Sequence, residues 1–362
     1  MKLIKLVGMT VVVISSLIFL LWANSSLQPQ VWSPSKNPHF TGVFTKNHKL
    51  DQSQLILQDV GLGPEDIVLG KNGRFYTGFE DGRIISFLLN KGGHSDIQLL
   101  TNTGGRPLGM KFDHAGNLIV TDSIKGLLSV AVAGETAGEV TVLVDAISGI
   151  KMKFVDHLDI AQDGTIWFSD ASQRFGHEQL AYDFVEVSAT GRLLSYSPTT
   201  KETKVHISNL FFANGVALGP NDDFVLINET GKAQIHRLWL KGDKQGTTDI
   251  FIKNLPGMPD NLTFNGKDTF WIPLINLRDP LIDGLAQYPF IRKLAGGLPI
   301  TWLKPAQPYG FVIGVDLDGK VIFNLQGSNK LFAITSVIEY KNNLVLGSLK
   351  MNNAAIVTLP ER

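Results

Sequence analysis

One spacing recurs six times along this chain. An anchor residue stands eight positions before a turn residue, with an apolar stretch between them and another after the turn. The pairs are Glu65 and Gly73, Leu108 and Gly116, Asp156 and Gly164, Asn214 and Asp222, Asp260 and Asp268, and Thr335 and Asn343. The anchors fall 43, 48, 58, 46 and 75 residues apart. Short apolar alternations bounded by Gly, Asp and Asn read as strands and hairpins. A repeated unit of this kind buries its faces by stacking on its neighbours. The first four spacings suit a four-stranded blade of about 40–45 residues plus loops. Six copies therefore predict an all-β fold, a six-bladed β-propeller over residues 39–362. Two packed β-sandwiches would not return the same offset six times. The last interval holds an insertion, about 276–309, where Leu281, Leu285, Tyr288, Ile291 and Leu294 have roughly helical spacing. A packed helix, a lid over the channel and a membrane-surface contact are its three readings.

The amino terminus has a different character. Lys2 and Lys5 precede an uncharged apolar run from Leu6 to Ala23. At 1.5 Å per residue such a run covers about 27 Å, enough for a thin hydrocarbon core. Residues 1–23 read as one transmembrane helix, a signal anchor, with a cleaved signal peptide as the competing reading. The positive flank is expected to stay cytoplasmic, which places the body outside the cytoplasm and the membrane as a partner. Residues 24–38, polar and Pro-containing, read as a linker.

Composition removes several chemistries. Lys+Arg and Asp+Glu are 33 each, so the formal net charge is zero and no basic stripe invites nucleic acid. No cysteine is present, which excludes disulfides, thiolate metal sites and a cysteine nucleophile. No Gly-x-Ser-x-Gly, His-Glu-x-x-His or P-loop pattern occurs.

Equivalent positions of propeller blades form a ring around the central axis. Glu65, Asp156, Asn214 and Asp260 put oxygen-bearing side chains on that ring. Converging carboxylates repel unless a cation neutralises them. An all-oxygen set favours a hard cation, Ca2+ first and Mg2+, which prefers a tighter octahedron and more water, second. Asn261, next to Asp260, is a further oxygen ligand or a donor behind the ring. The competing reading of each position alone is an ordinary turn residue.

The motifs GPEDI, GRFYTGFEDGRI, FVDHLDIAQDGTIWFSDAS, FFANGVALGPNDDFVLINET and NLPGMPDNL occur in this order. Together they resemble the strictosidine synthase-like branch of calcium-dependent propellers, which includes the adipocyte plasma membrane-associated proteins. Gluconolactonases of the senescence marker family, serum paraoxonases and diisopropyl fluorophosphatase are more distant relatives. The resemblance covers about residues 38–360 and implies a six-bladed propeller with a catalytic metal at the top of its channel. It implies ligands at Glu65, Asn214 and Asp260. Many relatives have Asn-Asp where this chain has Asp156-His157, so Asp156 would add a charge in the place of an amide. The lyase that names the family carries a glutamate where Thr335 stands here, and a cysteine pair that this chain lacks. That chemistry is therefore the least favoured alternative.

The expected activity is calcium-dependent hydrolysis of a small-molecule lactone or ester, of gluconolactonase or arylesterase type. A metal-stabilised propeller acting as a binding or scaffold protein is the second expectation. Asp156, His157 and His177 are the candidates for activating water. Strand alternation would turn His157 into the blade, and His177 lies where a loop could cover the mouth. Asp170 and Ser172 of FSDAS match a family motif and also suit a turn. Asn24, Asn228 and Asn261 begin glycosylation sequons.

Overall fold

The structure, a computed structural model, describes residues 2–303, 308–328 and 330–361. Residues 304–307 of the expected insertion, and Met1, Asn329 and Arg362 of the expected segments, lie outside the described residues. Six antiparallel sheets follow one another around an axis, each running from an inner to an outer strand. Blade one comprises Ile67–Leu69, Phe75–Gly78, Arg83–Asn90 and Gly93–Asn102. Blade two comprises Pro107–Phe112, Leu118–Asp122, Gly126–Val130 and Val140–Val144. Blade three comprises Val155–Ile160, Ile166–Asp170, Gly191–Tyr196 and Thr203–Leu210. Blade four comprises Ala213–Leu218, Phe224–Glu229, Gln234–Trp239 and Thr248–Ile252. Blade five comprises Gly257–Pro259 with Thr263–Phe264, then Phe270–Leu277, Gly310–Val315 and Val321–Gly327.

Blade six closes the ring. Ile334–Tyr340, Asn343–Ser348 and Ala354–Thr358 receive their outer strand from Gln54–Ile56, at the other end of the domain. Ile56 pairs with Ala354 and Gln54 with Ile356. Both ends of the propeller are thereby tied into one sheet, which leaves no free first or last blade.

The recurring spacing has a structural cause. In blades two, three, four and six the inner strand bulges at the anchor, so that two residues oppose one. A bulge re-aims the side chain and frees ladder backbone groups. In blades two, three and four the residue opposite the bulge bonds backbone there or in the next blade. Thr121 Oγ1 donates to Gly109 O at 3.0 Å and also bonds Asp156 O. Ser169 Oγ accepts from His157 N–H at 3.0 Å. Asn228 Nδ2 bonds the carbonyls of Asp260 and Asn261. The hairpin turns also follow the sequence. Gly73, Gly116, Gly164 and Asp222 adopt positive φ. In blades five and six the left-handed residues are Gly266 and Lys341, two positions before the expected Asp268 and Asn343.

The insertion departs from the expected single helical stretch. It forms two short helices, Pro280–Gly284 and Pro289–Ala295, and a 3-10 turn Ile300–Trp302. Pro289 lacks the N–H that continuation would need and starts the second helix instead. Asp279 caps the first, accepting from Leu281 N–H at 2.7 Å. The same connection in blade three carries a third helix, Leu180–Glu186, which packs on Pro289–Ala295. These elements form a cap over one face of the ring.

The amino-terminal helix spans Lys2–Asn24. Its stretch Leu3–Asn24 is long and apolar enough to cross a membrane, and none of it is buried against the propeller. The expected linker is a strap. Leu27 is buried, and Gln28 N–H donates to Glu186 Oε2 at 2.7 Å. Trp32 stacks edge-on to Phe211, and Arg278 Nη2 donates to Ser35 O at 2.7 Å. Leu27 buries its apolar surface and Trp32 half-buries its own, a stronger pull than the surrounding polar residues exert toward water.

Candidate functional site

The anchors converge on a cavity of about 520 Å³, two of them, Asp156 and Asn214, turned there by the bulges of blades three and four. Glu65, Asp156, Asn214 and Asp260 all line it, and all are buried. Its walls are apolar, with Leu108, Phe154, Phe212, Met258 and Leu349 from the propeller. The cap adds Leu180, Phe184, Ile282, Ile300 and Leu303. A polar floor under apolar walls of this size is the usual form of a small-molecule site.

The floor is electrostatically frustrated. Burial and then the charges of Asp260, Asp66 and Asp156 hold the Glu65 carboxyl well above the usual range, with Arg106 opposing. Burial pushes Asp156 up to about 8, again against Arg106. Burial and Asp156 raise Asp260, although Asn261 N–H and the Asn214 amide bond it. Glu65 Oε1 accepts from Asn261 Nδ2 at 2.9 Å. Glu65 Oε2, Asn214 Oδ1 and Asn261 Oδ1 are buried without a hydrogen-bond partner. Unpaired buried acceptors among mutually repelling carboxylates fit a hard cation with oxygen ligands. Among the described residues no three His, Cys, Asp or Glu side chains are grouped so as to hold a metal ion by themselves. The donor set is thus a mixed ring of carboxylates and amides.

His177 also reaches the cavity, on the short 3-10 turn His177–Gln179 before the blade-three helix. Its ring lies 5.8 Å from that of Phe154, and its buried Nδ1 has no partner. Burial, with Arg106 and Lys350, holds its pKa below the ordinary value.

His157 is a correction to the expected catalytic set. The bulge that turns Asp156 inward turns His157 between blades three and four. There its Nδ1 accepts Val216 N–H at 3.0 Å, so its lone pair is already used. Burial lowers it to about 4, so it stays neutral at neutral pH. Its role is to pin two blades together. Asp66 occupies the equivalent place in blade one and accepts Met110 N–H at 2.8 Å. Thr335 is likewise engaged, donating Oγ1–H to Glu65 O at 2.6 Å. Asp170 pairs with Arg192, and Ser172 Oγ accepts from Phe175 N–H at 3.1 Å, both outside the cavity lining. The sequon asparagines Asn228 and Asn261 are fully buried.

Comparison with known proteins agrees with this architecture. Residues 156–243 match the strictosidine synthase family model, and residues 42–87 match the strictosidine synthase-like N-terminal model. The adipocyte plasma membrane-associated protein of Danio rerio is 33% identical over 351 residues, 90% of this chain and 82% of that protein. Strictosidine synthase-like 4 of Arabidopsis thaliana is 33% identical over 301 residues, 80% of this chain and 78% of that protein. The chain belongs to the strictosidine synthase-like family. Its fold is also that of a gluconolactonase from Xanthomonas campestris, with a TM-score of 0.60 at 15% identity, covering 92% of this chain and 98% of that one. The calcium-binding protein regucalcin of Agrobacterium tumefaciens gives a TM-score of 0.58 at 10% identity, covering 84% and 92%.

This strictosidine synthase-like chain also carries site residues that no sequence pattern disclosed. Arg106 is completely buried, with Nη1 donating to Gly63 O at 3.0 Å and Nε and Nη2 unpartnered. Its positive charge acts on both Glu65 and Asp156, opposing the rise of each. A lone Arg two residues before an apolar anchor carries no local signal; the packing of blade two on the chain entering blade one sets it behind the floor.

Proposed function

We propose that this strictosidine synthase-like protein is a membrane-anchored, calcium-dependent hydrolase of ester or lactone substrates. The observation that carries the reading is the frustrated oxygen ring at the floor of an apolar cavity, with His177 in its wall. Glu65, Asp156, Asn214 and Asp260 would hold Ca2+, with Asn261 as a further oxygen donor and Mg2+ as the second choice of ion. When bound, the cation supplies Lewis-acid polarisation of a carbonyl and stabilises developing negative charge. The chain's own groups do the rest. Asn261 Nδ2 holds Glu65 in orientation. Phe154, Phe212 and the cap residues enclose the apolar part of a substrate and exclude bulk water. His177, neutral at neutral pH, can accept a proton from water at the cavity wall; Asp156, protonated at neutral pH by its burial, would be the alternative base only where a bound cation holds it ionised. The helix Leu3–Asn24 would hold the protein in the membrane, with the propeller outside the cytoplasm.

The test is hydrolysis of an ester and lactone panel by the full chain, with calcium and with a chelator. Turnover should require calcium, and Asp260→Asn should lower it at least a hundredfold, with His177→Gln giving a smaller loss. Calcium-independent turnover, or full activity in Asp260→Asn, would sink the proposal. A second reading, a binding protein with a structural cation, draws on the absence of a closed carboxylate–histidine group among the described residues. Its mark would be a calcium-dependent rise in stability with no turnover of any panel member. Protection of the propeller from protease added to the cytoplasmic side would check the orientation.

A further inference from the structure

We infer that the outer face of the cap is itself a membrane-embedded surface, so that the roof of the cavity lies in the interfacial layer of the bilayer. The inference rests on the proposed membrane anchor, not on the hydrolase reading.

The first observation is that the cap is apolar on both sides. Ile282 lines the cavity, while its neighbour Leu281 on the same helix is 67% exposed. Ile300 and Leu303 line the cavity, while Trp302 between them is 67% exposed. On Pro289–Ala295, Arg292 turns inward and donates to Val185 O at 3.1 Å, while Phe290 is 55% exposed and Ile291 and Tyr288 are exposed with it. A cap facing water would be expected to carry polar residues on its outer side. Large aromatic and aliphatic side chains clustered there mark an interaction surface.

The second observation says what covers it. The end of the amino-terminal helix is fixed to this same cap without slack. Lys293 Nζ sits 4.7 Å over the ring of Trp22. Gly297 lies so close to the Leu21 backbone that a Cβ would collide with it, and Gly296 is packed by Leu27 in the same way. Gln30 N–H then donates to Glu186 O at 3.2 Å, and Arg292 bonds Gln30 O. If Leu3–Asn24 crosses a bilayer, Trp22 lies at its interface, where Trp is favoured. The helix Pro289–Ala295, in contact with it, is held at the same depth. Its exposed Phe290 and Ile291 then meet the boundary between headgroups and acyl chains, where amphipathic surfaces bind by apolar burial.

The chain's lack of cysteine makes the test clean. Single cysteines at Leu281→Cys, Phe290→Cys and Trp302→Cys would carry a spin label in the full chain, reconstituted in phosphatidylcholine nanodiscs. Val12→Cys in the helix and Leu99→Cys on the outer strand of blade one serve as references; an unchanged melting temperature establishes that each variant is folded. Accessibility to oxygen, which partitions into lipid, is compared with accessibility to a water-soluble nickel chelate. Oxygen should dominate at Val12→Cys and at two or more cap positions, and the chelate at Leu99→Cys. Chelate dominance at two or more cap positions, or protection there from both agents as in a protein contact, overturns the inference while a lipid signal at Val12→Cys leaves the anchor standing. A chelate signal at Val12→Cys overturns the anchor and the inference together.

Discussion

Buried charges in this propeller are handled in opposite ways. Burial alone would raise Glu229, yet it is held down at about 2 by His236, Lys232 and Phe211 N–H. The contacts are 2.8 Å from His236 Nε2, 2.8 Å from Lys232 Nζ and 2.9 Å from Phe211 N. Its folded pKa lies below its unfolded one. It therefore contributes stability that is fully present above about pH 4.5 and is lost as pH falls toward 2. Glu229→Gln should lower unfolding free energy by about 1–3 kcal/mol at pH 7. In urea titrations the difference from wild type should shrink at pH 3; an equal difference at both pH values would show that charge is not the cause. Asp170 has the opposite sign. Burial raises it to about 6 despite Arg192, so its ionisation costs stability as pH rises from about 4 to 6. The same residue-scale logic separates Asp156 from His157. Adjacent in sequence, they are sent by one bulge to a cavity floor and a blade interface.

At the scale of elements, the bulge is the device that turns Asp156 and Asn214 to the floor. It stands at the anchor in four of the six blades, with hydroxyl and amide groups across the hairpin in blades two, three and four. Thr121 serves two carbonyls at once, those of Gly109 and Asp156, and so joins blades two and three behind the floor. Thr121→Val keeps the shape and removes the donor. It should destabilise the protein by about 1–3 kcal/mol, the cost of leaving buried carbonyls unpaired. Urea unfolding measures this, and a value within 0.5 kcal/mol of wild type, about the scatter of neutral surface changes, would show that the hydroxyl is dispensable. The strand pattern and hairpin turns were legible because period-two alternation and left-handed Gly positions are local. The cap was legible only as an interruption. Its helical spacing was visible, but Pro289 divides it, and the partner helix Leu180–Glu186 lies about a hundred residues away in sequence.

The whole molecule couples the ring to its closure. Gln54–Ile56 completes blade six, so the channel and its floor exist only when both ends of the domain meet. A cation that binds the folded ring and not the unfolded chain adds about 2.7 kcal/mol at a hundred times its Kd. For a domain of this size that is a melting-temperature rise of a few degrees. Calcium titrated against the metal-free protein should give this rise, and Glu65→Gln and Asp260→Asn should each abolish it. No rise in a demonstrably metal-free sample would return the anchors to the status of turn residues.

The sequence by itself determined the six-fold repeat, the apolar amino-terminal helix and the oxygen chemistry of four anchors, because each is written in local periodicity or in side-chain type. Tertiary structure alone decided which residues share the floor. Arg106 is set behind it by the packing of blade two on the chain entering blade one, His157 is withdrawn by a bulge, and His177 is brought in by a loop. It also decided that residues 24–38 form a strap rather than a free tether, since Leu27 and Trp32 find apolar partners far away in sequence. Local pattern fixes which way a strand or helix faces, but long-range packing fixes what it meets.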